Sequence, residues 1–306
     1  MPKSSDAAAS PRTLTGWRFA LPFALLCAIW SSTWLVIKGS LDAIPPMSGV
    51  ALRFVIAAAV FTLIAPRLAR REGGAPPPAW LSAVMGLCNF TLCYGIVYWG
   101  EQVLPSGLAS VLWGTFPMMV VLASLVMIPD ERIGATRLAG FALAFAGVAL
   151  LFIEDLRALG PEALTTGAIF LLSPASAAIG QVVIKRHGAE VSSALLNRNA
   201  MWIGAIVLTA LAFASEEPGA IVWTAGGLAS VVYLAVFGTV ITFGLYYWLL
   251  RQASATTLSL IAYITPVAAL ALGVAFGGEA LTGSLALGGA LVLLGVAVAR
   301  REPPPP

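Results

Sequence analysis

Tryptophans and small polar side chains lie together in the middle of apolar stretches of this sequence. Trp30 and Trp34 are separated by one helical turn with Ser31 between them, and Trp113 lies in a later stretch. Tryptophan rings bind flat apolar groups, and a hydroxyl beside them binds the amine or carboxylate of a small solute. These residues predict reversible binding of a small molecule, with close packing between helices as the alternative.

Three further polar side chains suit the same chemistry. An asparagine, a glutamine and a tyrosine in other apolar stretches are neutral donors and acceptors that could bind the polar ends of an amino acid-like solute. Hydrogen bonding between helices explains them as well. The substrate-binding candidates are therefore Trp30, Ser31, Trp34, Asn89, Trp113, Gln181 and Tyr263.

Two arginines lie several residues inside apolar stretches, where a cation is costly. Arg53 and Arg198 could each extend along its helix or bind a helix C-terminus, and this structural role is the one we expect. Binding of a substrate carboxylate is the alternative.

Two prolines interrupt apolar stretches at similar depths. Pro117 and Pro266 lack a backbone N–H, so each frees a carbonyl and kinks its helix. Such a kink can serve as a hinge or line a cavity. A kink that only shapes a packed helix is the alternative.

Catalytic and metal-binding patterns are not found in the sequence. The one histidine, His187, belongs to a charged Lys-Arg-His cluster, and no HExxH motif or pair of intramembrane acids is present. The three cysteines lie in apolar stretches, where a thiol packs as a small hydrophobic group. The sequence predicts no enzyme, no cofactor and no metal site.

The composition indicates a membrane protein. Hydrophobic residues make up 59% of the chain and charged residues 10%, whereas soluble domains carry about 25% charged residues. The mean hydropathy is +0.92. A net charge of +3 is too small to indicate a nucleic-acid partner. We expect membrane lipids and a small-molecule substrate as partners; the sequence specifies no oligomeric state and is compatible with a monomer.

Apolar runs of about 20 residues, the length that crosses a bilayer, follow one another along the chain. Short clusters of charge, Gly or Pro separate them. We predict an all-α integral membrane fold with ten transmembrane helices, near residues 18–38, 46–66, 79–99, 104–128, 134–153, 166–185, 191–214, 224–250, 256–277 and 283–300.

The chain is internally duplicated. The segment that begins at Trp99 recurs 149 positions later at Trp248, which aligns the two prolines, and Gly140 and Gly147 align with Gly288 and Gly295 after a slip of one residue. Four aromatic residues, Tyr98, Trp99, Tyr247 and Trp248, fall at span ends, where such residues anchor helices at the membrane interface, with gating as the alternative. The matching segments occur in the same order in both copies, which favours a true internal repeat over chance similarity.

The repeat predicts an inverted architecture. Each copy holds five spans, an odd number, so the second copy must enter the bilayer from the opposite side. The predicted units are a tail at 1–17, a first repeat at 18–153, a second repeat at 154–300 and a tail at 301–306. Inverted repeats are typical of alternating-access carriers, whereas a channel or scaffold is the less favoured class.

The distribution of basic residues predicts the orientation. With the N-terminus inside, thirteen of the 17 Lys and Arg residues fall in cytoplasmic segments, two fall outside, and Arg53 and Arg198 lie within spans. The positive-inside rule then places both termini in the cytoplasm. All 14 acidic residues are assigned to loops or span ends, which disfavours a carrier for lipophilic cations.

Four segments carry a resemblance to a known family: AIWSSTWLVIK at 28–38, ALRF at 51–54, and two long segments at 108–148 and 258–296. Through these segments the chain resembles the EamA branch of the drug/metabolite transporter superfamily. It implies a ten-span, two-repeat carrier of the bacterial inner membrane. The similarity to YddG-type exporters implies export of aromatic and other neutral amino acids. A nucleotide-sugar, phosphorylated-metabolite or multidrug transporter of the same superfamily is the alternative.

Overall fold

The protein is helical throughout the part that the computed structural model describes, residues 17–127, 134–217, 219–250 and 261–299. Ten helical rods are numbered here in chain order. They are α1 (Trp17–Ser40), α2 (Pro46–Glu72), α3 (Ala79–Gly100), α4 (Ser106–Met127), α5 (Ala135–Leu151, continuing to Leu159), α6 (Pro161–His187), α7 (Ser193–Ser215), α8 (Ala225–Ala235, continuing to Leu250), α9 (Ile261–Phe276) and α10 (Gly283–Ala299).

Eight of the described helices have the length and hydropathy to cross a bilayer. The other two, α9 and α10, are apolar but shorter, with 16 and 17 residues. The predicted span 256–277 begins among residues 251–260, which lie outside the described part. The all-helical class is therefore confirmed, together with eight helices of membrane-spanning length.

Two helix pairs join the predicted halves along their length, α2 with α7 and α5 with α10. Glycines allow the backbones of α5 and α10 to approach closely. A Cβ at Gly140 would lie 2.6 Å from the carbonyl of Gly295, and one at Gly147 would lie 2.6 Å from the carbonyl of Gly288. Because the four residues align as Gly140 with Gly288 and Gly147 with Gly295, these contacts are reciprocal, as a two-fold relationship between the halves requires.

The first helix of each half packs against the other half. Helix α1 contacts α8 and α9, and its counterpart α6 contacts α3 and α4. The main hydrophobic core includes buried residues of α2, α3, α4 and α7, among them Phe54, Phe90, Leu112 and Met201. The centre of the bundle is therefore built from both halves.

Helices α3 and α8 each contain a π-helical segment at equivalent positions. The segments are Gly86–Leu92 and Val236–Ile241, and the end of the first lies 149 positions before the end of the second, the same interval as in the sequence repeat. In each, a threonine hydroxyl donates to the carbonyl five residues earlier, from Thr91 at 3.0 Å and from Thr239 at 2.9 Å. π-Helical turns are rare and frequently occur at functional sites.

Each end of the bundle contains a glutamate, and we call the two ends the Glu101 end and the Glu72 end. At the Glu101 end, the Lys38 ammonium donates to the Glu101 carbonyl at 2.5 Å. At the Glu72 end, the loop after α2 pairs with the loop before α7, through bonds of 2.7 Å from the Ala75 amide to the Glu190 carbonyl and 2.9 Å from the Ser192 amide to the Ala75 carbonyl. Loops from the two halves meet at the Glu72 end.

Candidate functional site

Aromatic rings from both halves meet around α1. The Trp30 ring centroid lies 6.3 Å from that of Phe243 and 5.7 Å from that of Tyr246, both on α8. One turn further along α1, the Trp34 centroid lies 6.3 Å from that of Trp113 on α4. All five rings are half-buried. We name these five residues together with Phe116 the aromatic cluster.

The break in α4 positions part of this cluster. Regular helix stops at Trp113 and resumes at Phe116, and the two rings stack with centroids 4.8 Å apart across the interruption. Pro117, in the first turn of the second segment, has no N–H to continue the helical ladder. A Cβ at Gly114 would lie 3.5 Å from the ring of Pro266, so the two predicted kink residues lie at the contact between α4 and α9. Helix α9 itself continues through its proline.

The hydroxyl of Ser31 is not directed at the aromatic cluster. It donates to the Cys27 carbonyl of its own helix at 2.6 Å. With Ser32, which shares a 2.7 Å hydrogen bond with the Tyr233 hydroxyl, it lines a mostly apolar groove of about 820 Å³ between α1, α8 and α9. Spacing alone placed Ser31 beside both tryptophans, but the helix rotates it onto a neighbouring face.

Asn89 joins α3 to α6. Its side-chain amide lies in the π-helical segment Gly86–Leu92 and donates to the Ala177 carbonyl at 3.4 Å, while its oxygen is pressed against Gly180. This contact matches the alternative role of hydrogen bonding between helices. Gln181, the residue after Gly180, is exposed on α6.

Arg53 is the most buried cation of the described part, with 1% of its surface exposed. Its Nε donates to the Thr239 hydroxyl at 2.9 Å and its Nη2 to the Gly238 carbonyl at 3.2 Å, both in the π-helical segment of α8. The guanidinium also lies 4.6 Å from the centroid of the Tyr94 ring, a cation–π contact. The Nη1 atom has no hydrogen-bond partner among the described residues. Arg53 thus links the halves.

Arg198, at the equivalent position of the second half, is bound locally. Its Nε and Nη2 both donate to the Asn199 side-chain oxygen, at 3.0 and 2.8 Å, and the side chain is only half-buried. The two arginines therefore have different surroundings although their sequence contexts align.

The predicted interface aromatics are only partly described. Trp99 is half-buried, whereas Tyr98 is 1% exposed and packs against Gly49, so Tyr98 belongs to the core and is not in an interface belt. The side chains of Tyr263 and Trp248 lie outside the described part. The roles predicted for those two side chains stay predictions.

Sequence reasoning missed a set of glutamates that cap helices of the other half. Glu279, after α9, accepts from the amide of Ser106 at 2.6 Å, the Ser106 hydroxyl at 2.6 Å and the amide of Gly107 at 2.8 Å. A carboxylate at a helix N-terminus satisfies free amides and interacts favourably with the helix dipole. It thereby ties α9 to α4.

The pair α2 and α7 is capped in both directions. Glu216, after α7, accepts from the amides of Met47 and Ser48 at 2.6 and 2.9 Å. Glu72, at the end of α2, accepts from the Ala194 amide at 2.9 Å and from two serine hydroxyls at the start of α7. A serine within the first residues of each receiving helix is the available sequence signal, but its partner is visible only in the fold.

Glu101 follows α3 and is fully buried, with 0% exposure. Neither carboxyl oxygen has a hydrogen-bond partner among the described residues. Burial raises the pKa of this carboxyl well above its ordinary value; Lys38 opposes the rise, Glu279 adds to it and Arg53 opposes it. The acid lies at a helix end, as expected from the sequence, but it is not solvated.

Metal-binding geometry is not found in the part of the chain that the structure describes. No group of three or more His, Cys, Asp or Glu side chains there is placed to hold a metal ion. The three cysteines are free thiols. The chemistry available at the centre is apolar contact, hydrogen bonding and one buried positive charge.

Comparison with known proteins gives consistent matches over most of the chain. The model of the EamA-like transporter family matches residues 8–153 and 165–301. The "Uncharacterized inner membrane transporter YedA" of Escherichia coli (strain K12) is 31% identical over 86% of this chain and 84% of its own. The "Uncharacterized transporter YvbV" of Bacillus subtilis (strain 168) is 27% identical over 91% of this chain and 90% of its own.

One solved structure supports the fold. This crystal structure superposes with a TM-score of 0.65 at 24% identity, covering 95% of this chain and 97% of the other. At that identity the likeness concerns the fold alone.

Proposed function

Because this chain belongs to the EamA-like transporter family and is a multi-pass membrane transporter, we propose that it exports aromatic and other neutral amino acids by alternating access. The substrate class rests on the aromatic cluster. Its rings come from α1 and α4 in the first half and α8 in the second, and they remain half-buried at the centre of the bundle.

Half-buried rings that face one another suit a flat apolar side chain. Aromatic pairs contribute about 0.5–1.5 kcal/mol beyond the apolar area that they bury. Trp30, Trp34 and Trp113 can each contact an inserted ring without leaving an unpaired charge in the bundle. A solute whose charges cancel suits this environment because an uncompensated charge is costly at membrane depth.

A phosphorylated solute fits less well. Such a solute carries two or more negative charges and needs several cations around it. Of the two arginines predicted within spans, Arg198 is bound to Asn199, and three of the five nitrogen–hydrogen bonds of Arg53 remain for other partners. A neutral or zwitterionic solute is therefore favoured over a sugar phosphate.

The helix arrangement supports the transport mode. The pairs α2–α7 and α5–α10 cross the predicted halves with close backbone contacts, so they serve as the fixed part of the carrier. Helices α1, α3, α4 and their counterparts surround the aromatic cluster. The break in α4 beside Pro266 gives these helices a place to bend, as alternating access around a central site requires.

The orientation completes the proposal. The excess of basic residues in the segments assigned to the cytoplasm supports an orientation with both termini inside. The Glu101 end would then face the outside of the bacterial inner membrane and the Glu72 end the cytoplasm. Labelling of single introduced cysteines in intact cells tests this orientation. A thiol at exposed Gln102 should react with an impermeant maleimide added outside, and one at exposed Arg70 should not.

Counterflow in liposomes tests the substrate class. Purified protein preloaded with unlabelled tryptophan should accumulate labelled tryptophan, phenylalanine or methionine faster than a labelled sugar phosphate. The Trp30→Ala variant should lower tryptophan flux more than Trp99→Ala, a matched loss of one indole outside the aromatic cluster. A faster sugar phosphate, or equal effects of the two substitutions, would overturn the assignment.

A further inference from the structure

Glu101 is a buried acid that the transport proposal does not use. Burial disfavours a carboxylate that has no hydrogen-bond partner, so the fully buried, unpartnered carboxyl of Glu101 favours its neutral form. We infer that Glu101 is a proton-binding site that holds the Glu101 end of the carrier closed, and that loss of its proton opens this end. The inference concerns gating and does not depend on which solute is moved.

The charged groups around Glu101 offset only part of the cost of burying its carboxylate. From α1, the Lys38 ammonium donates to the carbonyls of Glu101 and Gln102 instead of the carboxyl oxygens. From α2, the Arg53 guanidinium is bound to the π-helical segment of α8. From the segment after α9, Glu279 adds a second negative charge. Deprotonation of Glu101 would therefore place two negative charges near each other at this end.

The other elements packed here supply no further counter-ion among the described residues. On α3 itself, Tyr98 lies one turn back, and its hydroxyl has no hydrogen-bond partner in the described part. Helix α6 packs its Phe170 ring against Gly100, and the titratable residue in its first turn, Glu162, is exposed. Opening to water would therefore stabilise the deprotonated acid further.

The direction of the response follows from the raised pKa of Glu101. A carboxyl that is harder to ionise in the closed arrangement than in water stabilises that arrangement at low pH, and the stabilisation is lost as the pH rises through the raised value. In the closed form the Glu101 carboxyl is neutral. In the open form it is a carboxylate, and one proton has been released. The proton is exchanged with the solution at this end, which is the outside in the proposed orientation.

The second half has no such acid at the matching position. The repeat aligns Glu101 with Leu250, because the positions differ by 149. Because leucine does not titrate, only the Glu101 end of the carrier would respond to pH through this position of the repeat. An acidic outside would then favour the closed form, and a neutral outside would favour opening.

Hydrogen–deuterium exchange of the purified full chain tests the inference without any substrate. The reporters are the amides of Ser106 and Gly107, which are bonded to Glu279 in the closed arrangement. Exchange is followed from pH 5 to 9 and corrected for the intrinsic rate. Protection in the wild type should fall as the pH rises, by up to about tenfold per pH unit for one linked proton.

Four variants separate the outcomes. Glu101→Gln and Glu101→Leu, one isosteric and one copying the second half, should give protection that does not change with pH, and Glu162→Gln should behave as the wild type. A wild-type protection that is constant over this range would overturn the inference. So would a slope that survives in Glu101→Gln and disappears in Glu279→Gln, because the proton would then belong to Glu279.

Discussion

The two halves of this transporter share the contacts that set the helix framework and differ in the side chains at its centre. Glycines, prolines and π-helical segments recur at equivalent positions in both halves. In contrast, Trp34 aligns with Gln181 and Trp113 with Ala262, and the buried Arg53 aligns with the locally bound Arg198. The two halves therefore share a helix framework, while the first half supplies most of the rings of the aromatic cluster.

The shared framework predicts the largest effect. Gly147→Val should abolish folding or lower the thermal unfolding temperature strongly, since its Cβ would lie 2.6 Å from the Gly288 carbonyl and overpacking alone costs about 1–3 kcal/mol or more. Gly226→Val is the matched control, because nothing lies within 4 Å of that Cβ position. Thermal unfolding in detergent measures both. Equal stabilities would show that α5 and α10 do not depend on this close contact.

The divergent arginines predict the next effect. Arg53→Leu should destabilise the protein by about 1–3 kcal/mol, because the Gly238 carbonyl loses its donor in a buried position. Arg198→Leu should cost about 0.5 kcal/mol or less, since its contact with Asn199 is local and half-exposed. Denaturant unfolding of both variants makes the comparison. A larger cost for Arg198→Leu would reverse the assigned roles.

The difference between Glu101 and Leu250 predicts a smaller effect, a dependence of the stability of the protein on pH. Because burial raises the pKa of Glu101, its neutral form stabilises the fold at low pH, and this contribution is lost as the pH rises through the raised value. The wild-type unfolding temperature should therefore fall relative to that of Glu101→Gln as the pH is raised from 5 to 8. A constant difference between the two proteins over this range would contradict the assignment.

Ser31 predicts the smallest effect. Ser31→Ala copies Ala178, the equivalent residue of the second half, and removes only a hydroxyl that donates to its own helix. Tryptophan counterflow should stay within about twofold of the wild type, since a net hydrogen bond of this kind contributes about 0.5–1.5 kcal/mol to folding and none to the aromatic cluster. A tenfold loss would place Ser31 in the binding site after all.

Hydropathy was sufficient to predict most helices. The predicted spans 46–66 and 79–99 correspond to Pro46–Glu72 and Ala79–Gly100, because an apolar run must form its hydrogen bonds within itself in lipid. The repeat also aligned Gly140 with Gly288 and Gly147 with Gly295, the residues at which α5 and α10 meet in the structure, although that contact was not itself predicted. These features depend on local composition and on the repeat, both of which are present in the sequence.

The remaining details depend on distant partners. The carboxylate caps of Glu279 and Glu216 require the packing of separate halves, so no local pattern predicted them. The π-helical turn at Gly86–Leu92 has no composition that distinguishes it from regular helix. The orientation of Ser31 is set by a hydrogen bond to its own backbone, which spacing along the sequence does not specify.

The preference for aromatic solutes tests most sharply whether the aromatic cluster binds the transported solute. Counterflow of tryptophan and of leucine is measured for the wild type and for Trp113→Leu, and the ratio of their kcat/KM values is compared, so that leucine transport serves as the internal control for folding. The account predicts that the preference for tryptophan falls by roughly 2- to 12-fold, the equivalent of about 0.5–1.5 kcal/mol for one aromatic contact, while leucine transport continues. An unchanged ratio would show that the aromatic cluster does not bind the solute.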